Sequence, residues 1–377
     1  MTVPEKNIEL PQLDDFRSLF LNDTQFLDVR APVEFNQGAF PFTKNIPLIN
    51  DQERTDIGIR YKNAGQDEAI RLGHELVQGK VKDERVEKWT RFVKQNPEGV
   101  LYCFRGGMRS KISQQWIYEN TGIVYPRVKG GYKAMRRFLI DQLEESSQRI
   151  SPLILSGRTG IGKTLFLNKI TQKIDLESLY HHRGSVFGKH VTPQPSQIDI
   201  ENNLSIELLK HLQHLQHEHK KIILEDEAGN IGSRRLPECL IQRMKTSPVI
   251  LLEASIEERI EITFQEYIVQ SLTEYQEFYG PEKGFNSWSE QLLKNIDKIQ
   301  RRLGGERHKK LKNMLQNAIK NHIAGKIESH KEWIKVLLVE YYDPMYDYQL
   351  DNKKERIIFK GNKNEVFDFL TKKEKLN

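Results

Sequence analysis

The sequence predicts an α/β protein of two domains, the second carrying a long basic helical region. Three observations predict it. Up to about residue 145, short apolar runs alternate with helical stretches at the spacing of parallel strands and crossover helices. Around Ser146–Pro152 the pattern resets, and the apolar run Leu153–Ser156 opens a second α/β series. From Ile256 to about Glu340 the pattern is helical and highly charged. A chain of 377 residues exceeds what one core ordinarily organises. The expected division is therefore 1–145 and 146–377, with the helical part at about 255–335.

Taken in order, Thr24–Arg30 is a short strand closed by Asp28 and Arg30. Phe40–Leu48, with two prolines, reads as extended loop. Asp67–Gln78, Val86–Gln95 and Ser110–Asn120 read as helices, and Gly99–Cys103 as a buried strand. In the second series Lys221–Leu224 and Val249–Leu252 are strand-sized apolar runs. Tyr341–Tyr348 reads as extended, Arg356–Lys360 as an edge strand and Glu365–Leu370 as a terminal helix.

Two cysteines, Cys103 and Cys239, exclude a disulfide framework and fit a reducing compartment. Met1–Leu13 has neither the basic nor the apolar region of a secretory signal, and no apolar run approaches the ~20 residues of a membrane span. The expectation is a soluble cytoplasmic protein.

Two segments carry chemistry. In Cys103-Phe104-Arg105-Gly106-Gly107-Met108-Arg109-Ser110, a cysteine ends a buried strand and a helix follows. Backbone N–H groups at such a turn can form an anion cradle, and Arg105 and Arg109 add positive charge that favours a thiolate. Cys103, Arg105 and Arg109 are the candidate catalytic group; Cys239, inside a probable helix pattern, reads as a small buried hydrophobe. The second segment is Gly157-Arg158-Thr159-Gly160-Ile161-Gly162-Lys163-Thr164, the complete G-x-x-x-x-G-K-[ST] phosphate loop between a strand and a helix. The glycines let backbone N–H groups face a diphosphate, and Lys163 supplies a point charge. Thr164 can hold Mg²⁺ or hydrogen-bond a phosphate oxygen. No resident metal site is expected. Glu225 and Asp226, ending the run Lys221–Leu224, form a Walker-B-like partner, or an ordinary acidic turn.

The cysteine unit, with Leu27–Phe35 upstream and Lys129–Arg137 downstream, resembles the rhodanese-like family, which carries sulfur as a cysteine persulfide. It departs from that family in one respect. Arg109 lies six residues beyond Cys103, a longer loop of the size found in rhodanese-related phosphatases and suited to a larger anion. Tyr102 stands where those phosphatases place a histidine, which weakens a phosphatase reading.

Further stretches extend the likeness: His181-His182-Arg183-Gly184-Ser185-Val186-Phe187-Gly188, Gln194-Pro195-Ser196-Gln197-Ile198-Asp199, Glu225-Asp226-Glu227 with Ile231-Gly232, Arg302-Leu303-Gly304-Gly305 and Tyr341–Tyr346. Their order, from about Leu27 to Tyr348, resembles the bacterial tRNA 2-selenouridine synthase family. The resemblance implies a rhodanese-like domain followed by a P-loop NTPase-like domain with a basic helical C-terminal region. It implies a tRNA substrate with wobble 2-thiouridine, geranyl diphosphate that alkylates the thiocarbonyl sulfur, and selenophosphate that then supplies selenium. It places the diphosphate at the phosphate loop, stabilised by Lys163 and Arg158, and the selenophosphate at Cys103, held by Arg105 and Arg109. His181, His182 and Arg183 match a family motif and line a tRNA or diphosphate site, or form a polar loop. Gln194 and Gln197 read a base edge, or fix a loop.

Between Gln291 and Lys331 eleven Lys or Arg oppose only Asp297, Glu306 and Glu328, so this stretch outweighs the +6 of the whole chain. Arg301, Arg302, Lys309, Lys310 and Lys312 form its densest cluster, a face suited to an RNA backbone or an ordinary solvated helix. The histidine-rich run Lys210–His219 reads as a solvated helix face rather than a metal site. Tyr341, Tyr342, Tyr346 and Tyr348 read as packing residues before base-stacking ones. Two other functions compete: an ATP-dependent tRNA sulfurtransferase using a Cys103 persulfide, and a non-catalytic nucleotide-sensing interaction protein.

Overall fold

The computed structural model describes residues 9–213, 221–227 and 229–374. The chain divides into two compact units. Each is built on a sheet whose strands all run parallel.

The first unit opens with β1 (Gln12–Leu13), α1 (Phe16–Leu21), β2 (Phe26–Asp28), α2 (Pro32–Gln37) and β3 (Thr43–Asn45). α3 (Asp51–Leu76) and α4 (Gly79–Gln95) follow, then β4 (Val100–Tyr102), α5 (Met108–Thr121), β5 (Arg127–Val128) and α6 (Gly131–Arg149). The strand order is β1-β5-β4-β2-β3. Alternate residues of the central strands feed two cores. Leu27, Leu101 and Cys103 pack with Trp89 and Ile117 on one face, whereas Phe26, Val100 and Tyr102 pack with Tyr132 and Leu139 on the other. Asp28 and Arg30 are fully buried as an ion pair at 2.7 Å, with the guanidinium 3.9 Å from the Tyr132 ring centroid. Burial pushes the Asp28 carboxyl up, against the opposing pull of Arg30.

The second unit starts with β6 (Ser151–Ser156), the phosphate loop, α7 (Lys163–Leu167), β7 (Lys173–Ile174) and α8 (Leu176–Leu179). The next helix, α9 (Gln197–Gln213), belongs with the first unit, where the sequence reading put it in the second part. Its Ile206 and Leu209 are buried in the Tyr102 core, Asp199 accepts from the Ala39 N–H at 2.7 Å, and Ser205 donates to the Leu139 carbonyl at 2.7 Å. His211 lies on α9, while His214, His217 and His219 fall outside the described residues.

The chain resumes at β8 (Lys221–Glu225), the short hairpin β9 (Asn230–Ile231) and β10 (Arg234–Arg235), α10 (Glu238–Thr246) and β11 (Val249–Leu252). A helical region follows: α11 (Ile256–Phe264), a π-helical turn (Gln265–Gln270), α12 (Ser271–Tyr279), α13 (Pro281–Lys298), α14 (Gln300–Leu303), α15 (Gly305–Ile323), α16 (His330–Leu337), a second π-helical turn (Leu338–Tyr342) and α17 (Asp343–Asp351). β12 (Ile357–Gly361) returns to the sheet edge, and α18 (Lys363–Glu374) follows. The strand order is β12-β11-β6-β8-β7, which places β6 and the loop after it between β11 and β8.

The helical region has its own core around Trp288, Trp333, Leu311, Leu315 and Leu337. The expectation of extended chain at Tyr341–Tyr348 is corrected: this stretch is helical throughout. α17 follows directly on the second π-helical turn, and Pro344 is its second residue. Tyr341 and Tyr342 are buried in the helical core, whereas Tyr348 is exposed.

Candidate active site

The phosphate loop forms because β6 ends at Ser156 and glycines carry the chain through the turn. Gly160 and Gly162 both have φ +78. A Cβ at Gly160 would lie 2.3 Å from Thr263 Oγ1, so only glycine fits there. Lys163 begins α7, and Thr164 Oγ1 donates toward Glu177 at 3.1 Å and Glu225 at 3.2 Å. Arg259 braces the loop. It donates to the Thr159 carbonyl at 3.0 Å and makes two contacts with Asp343, at 3.0 and 2.6 Å.

The loop faces a cavity of about 250 Å³, lined also by Glu177, Arg183, Glu227, Glu266, Tyr342 and Tyr346. Both π-helical turns reach it, through Glu266 and Tyr267 from one and Tyr342 from the other. Burial favours a neutral Lys163, but Glu177, Glu227 and Glu225 outweigh it and hold the ammonium above its ordinary pKa. The carboxylates respond in the opposite way. Burial, then the neighbouring acids, pushes Glu225 up to about 8, and burial pushes Glu227 up to about 8 against the pull of Lys163. Glu266 rises to about 7 for the same first reason.

Glu225 and Asp226 part company in the structure. Glu225 is fully buried and accepts from the Glu177 N–H at 2.9 Å as well as from Thr164. Asp226 pairs with Lys353 at 2.6 Å and accepts from Ser156. Arg158 pairs with Asp347 at 2.5 Å. Of the histidine motif, Arg183 reaches the cavity and pairs with Glu274, and its Nη1 is buried without a hydrogen-bond partner. His181 stacks on His190 with centroids 4.1 Å apart and contacts Thr192 at 2.7 Å. His182 is buried, and burial lowers its pKa to about 4.

Gln194 and Gln197 are not a pair. Gln194 donates to the Tyr180 and Ile231 carbonyls at 2.8 and 3.1 Å and accepts from the Ser233 N–H at 2.8 Å, so its amide ties loops together. Gln197 opens α9 in the first unit and donates to Glu201 at 3.1 Å. In the basic cluster, Lys312 pairs with Asp297 at 2.8 Å and Lys310 with Glu340 at 3.3 Å. Arg302 Nη1 lies 3.9 Å from the Met345 sulfur, while Arg301 and Lys309 are exposed with no ion pair among the described residues.

In the first unit, Cys103 is buried, with Sγ 3.3 Å from Ser110 Oγ. Arg109 is engaged with Glu34 at 2.5 and 3.0 Å. Burial would raise Glu34, but the Arg109 guanidinium holds it below its ordinary value. Arg105 is exposed. Arg127 of β5 donates to the Gly106 carbonyl at 2.6 Å, and its Nε is buried without a partner. The loop rests on Gly130 and Gly131. A Cβ at Gly131, φ +59, would come within 2.3 Å of the Cys103 carbonyl oxygen and 2.4 Å of the Gly106 nitrogen. Glu227 ends the Walker-B-like acidic run already visible in the sequence, whereas Glu34, Arg127, Glu177 and Glu266 had no role assigned from the sequence. Glu34 carried a visible signal, since it falls inside the stretch that resembles the rhodanese-like family; the others come together only through the fold.

Comparison with known proteins assigns the family. A family model described as the tRNA 2-selenouridine synthase AAA domain matches residues 150–377. A tRNA 2-selenouridine synthase of Marinobacter nauticus is 52% identical over 93% of this chain and 95% of its own length. The chain belongs to the tRNA 2-selenouridine synthase family. Relatives of the same name from a Sulfurovum species and from Pseudomonas syringae pv. syringae are 46% and 47% identical, over 96% and 94% of this chain and 98% and 96% of theirs. The phosphate loop of this family member falls inside the matched domain, and the relatives extend the likeness through the Cys103 unit as well.

Proposed function

We propose that this chain converts wobble 2-thiouridine in tRNA to 2-selenouridine in two steps, one at each loop. The reading rests on near-full-length similarity to tRNA 2-selenouridine synthases, which spans both units. In the first step, at the phosphate loop, the thiocarbonyl sulfur attacks C1 of geranyl diphosphate. A C–S bond forms, the C–O bond breaks with its electron pair on the diphosphate, and the ring N3 gives up its proton. Lys163 and the loop N–H groups stabilise the leaving diphosphate, and Arg158 joins them when it releases Asp347. No three His, Cys, Asp or Glu side chains converge as a metal cluster among the described residues. Mg²⁺ bound with the diphosphate would be held by Thr164 and a neighbouring carboxylate.

The second step belongs to a rhodanese-like first domain. Selenium of selenophosphate attacks the ring carbon C2, and the C2–S bond breaks. Geranyl thiolate leaves and takes a proton, and water cleaves the P–Se bond to release phosphate. Alkylation makes the sulfur a competent leaving group, which explains why the two steps are joined. Cys103 guides the selenium toward C2 without bonding to it, and Arg105 and Arg109 hold the phosphate end. Cys103→Ala separates the steps: tRNA treated with both co-substrates should accumulate geranyl-2-thiouridine. Normal 2-selenouridine from that variant would sink the assignment.

A further inference from the structure

Beside the Cys103 loop the first unit carries an apolar groove of about 840 Å³, inside the size range of small-molecule sites. Two helices wall it. α5 contributes Met108, Ile112 and Trp116, spaced by four and hence on one face. α3 contributes Ile57 and Tyr61 before Gly65 and Ile70 after it. Gly65, at φ +85, interrupts the helix, and both halves line the same groove. Arg54, Arg105 and Arg109 line it together with Glu34, which pairs with Arg109 and lies 3.4 Å from Arg54, so the exposed Arg105, on the loop after Cys103, is the cation left without that carboxylate. Tyr61 is 56% exposed and Met108 48%, so the apolar wall is open to water.

An apolar trough ending at arginines next to Cys103 matches an amphiphile, an apolar chain joined to an anionic head. We propose that it holds the prenyl chain of an S-prenylated uridine, with a flanking phosphate at Arg105. This rests on the two-step reading, in which the base presented to the Cys103 loop carries a geranyl group on its sulfur. That chain has no hydrogen-bonding group and must lie within its own length of C2. The groove starts at Met108 and Arg109, on the same turn. It shields the chain while C2–S breaks and then holds the departing geranyl thiol.

The test titrates the full-length protein with anticodon-loop oligonucleotides carrying either 2-S-geranyl- or 2-S-methyluridine. Each buried methylene contributes about fourfold in affinity, so partial burial should favour the geranyl form by at least ~10-fold. Tyr61→Glu and Met108→Glu, both at exposed positions, should each bring that ratio toward one. Equal affinities in the unmodified protein, or a preference that survives both substitutions, would overturn the groove assignment; the latter would place the chain selectivity elsewhere, including a protein-docking role for this face. Formation of geranyl-2-thiouridine from geranyl diphosphate is scored separately. Its failure removes the two-step reading, whereas geranylation without groove-dependent selectivity removes only the groove.

Discussion

Lys163 sits in a cavity whose charge is set by its acidic neighbours. With Glu225 and Glu227 pushed up to about 8, both hold their protons at pH 7, which lowers the negative charge a diphosphate meets. Raising the pH ionises them while Lys163, held above its ordinary pKa, stays charged. The added negative charge opposes the ligand. Geranyl diphosphate should therefore bind more weakly as pH rises from 7 to 9, which calorimetric titration at the two pH values would measure. Glu225→Gln should reduce that dependence and leave the part due to Glu227. Lys163→Ala should slow geranylation by about 10²–10³-fold, as expected for loss of one preorganised donor, read as the rate of geranyl-2-thiouridine formation. At Cys103 the contrast is instructive. Arg109 spends its charge on Glu34, so the loop's freer cation is the exposed Arg105.

At the level of elements, the cysteine turn depends on glycine where two strands of chain nearly touch. Gly131→Ala would press a methyl against two backbone atoms at a positive φ. It should cost roughly 1–3 kcal/mol, seen as a lowered thermal midpoint together with loss of the selenium step. Both candidate loops are visible in the sequence because each is contiguous: strand, loop and helix occur within ten residues of each other. Glu177 and Glu266 are not, since they meet Lys163 only through the sheet order and a π-helical turn. Tyr341–Tyr348 misled for a different reason. Four tyrosines and a proline have the propensities of extended chain, but packing of Tyr341 and Tyr342 against the Trp333 core overrides them. α9 misled because its partners, Ala39 and Leu139, lie far back in the sequence.

Over the whole molecule, the net charge of +6 is concentrated in one stretch of the second unit. Lys310 and Lys312 are ion-paired there, so Arg301 and Lys309 are the side chains best placed to meet an RNA phosphate. Replacing each with Ala should weaken tRNA binding and lower the slope of log K against log salt by about one, measured by filter binding over a salt series. The two-loop architecture makes a stronger claim, that alkylation and selenium transfer are successive reactions of one chain. Nucleoside mass spectrometry of 2-thiouridine tRNA tests it most directly, with geranyl diphosphate and selenophosphate supplied singly and together. Geranyl diphosphate alone should yield geranyl-2-thiouridine, selenophosphate alone should leave 2-thiouridine unchanged, and both together should yield 2-selenouridine. Formation of 2-selenouridine from selenophosphate and ATP without geranyl diphosphate would contradict the account.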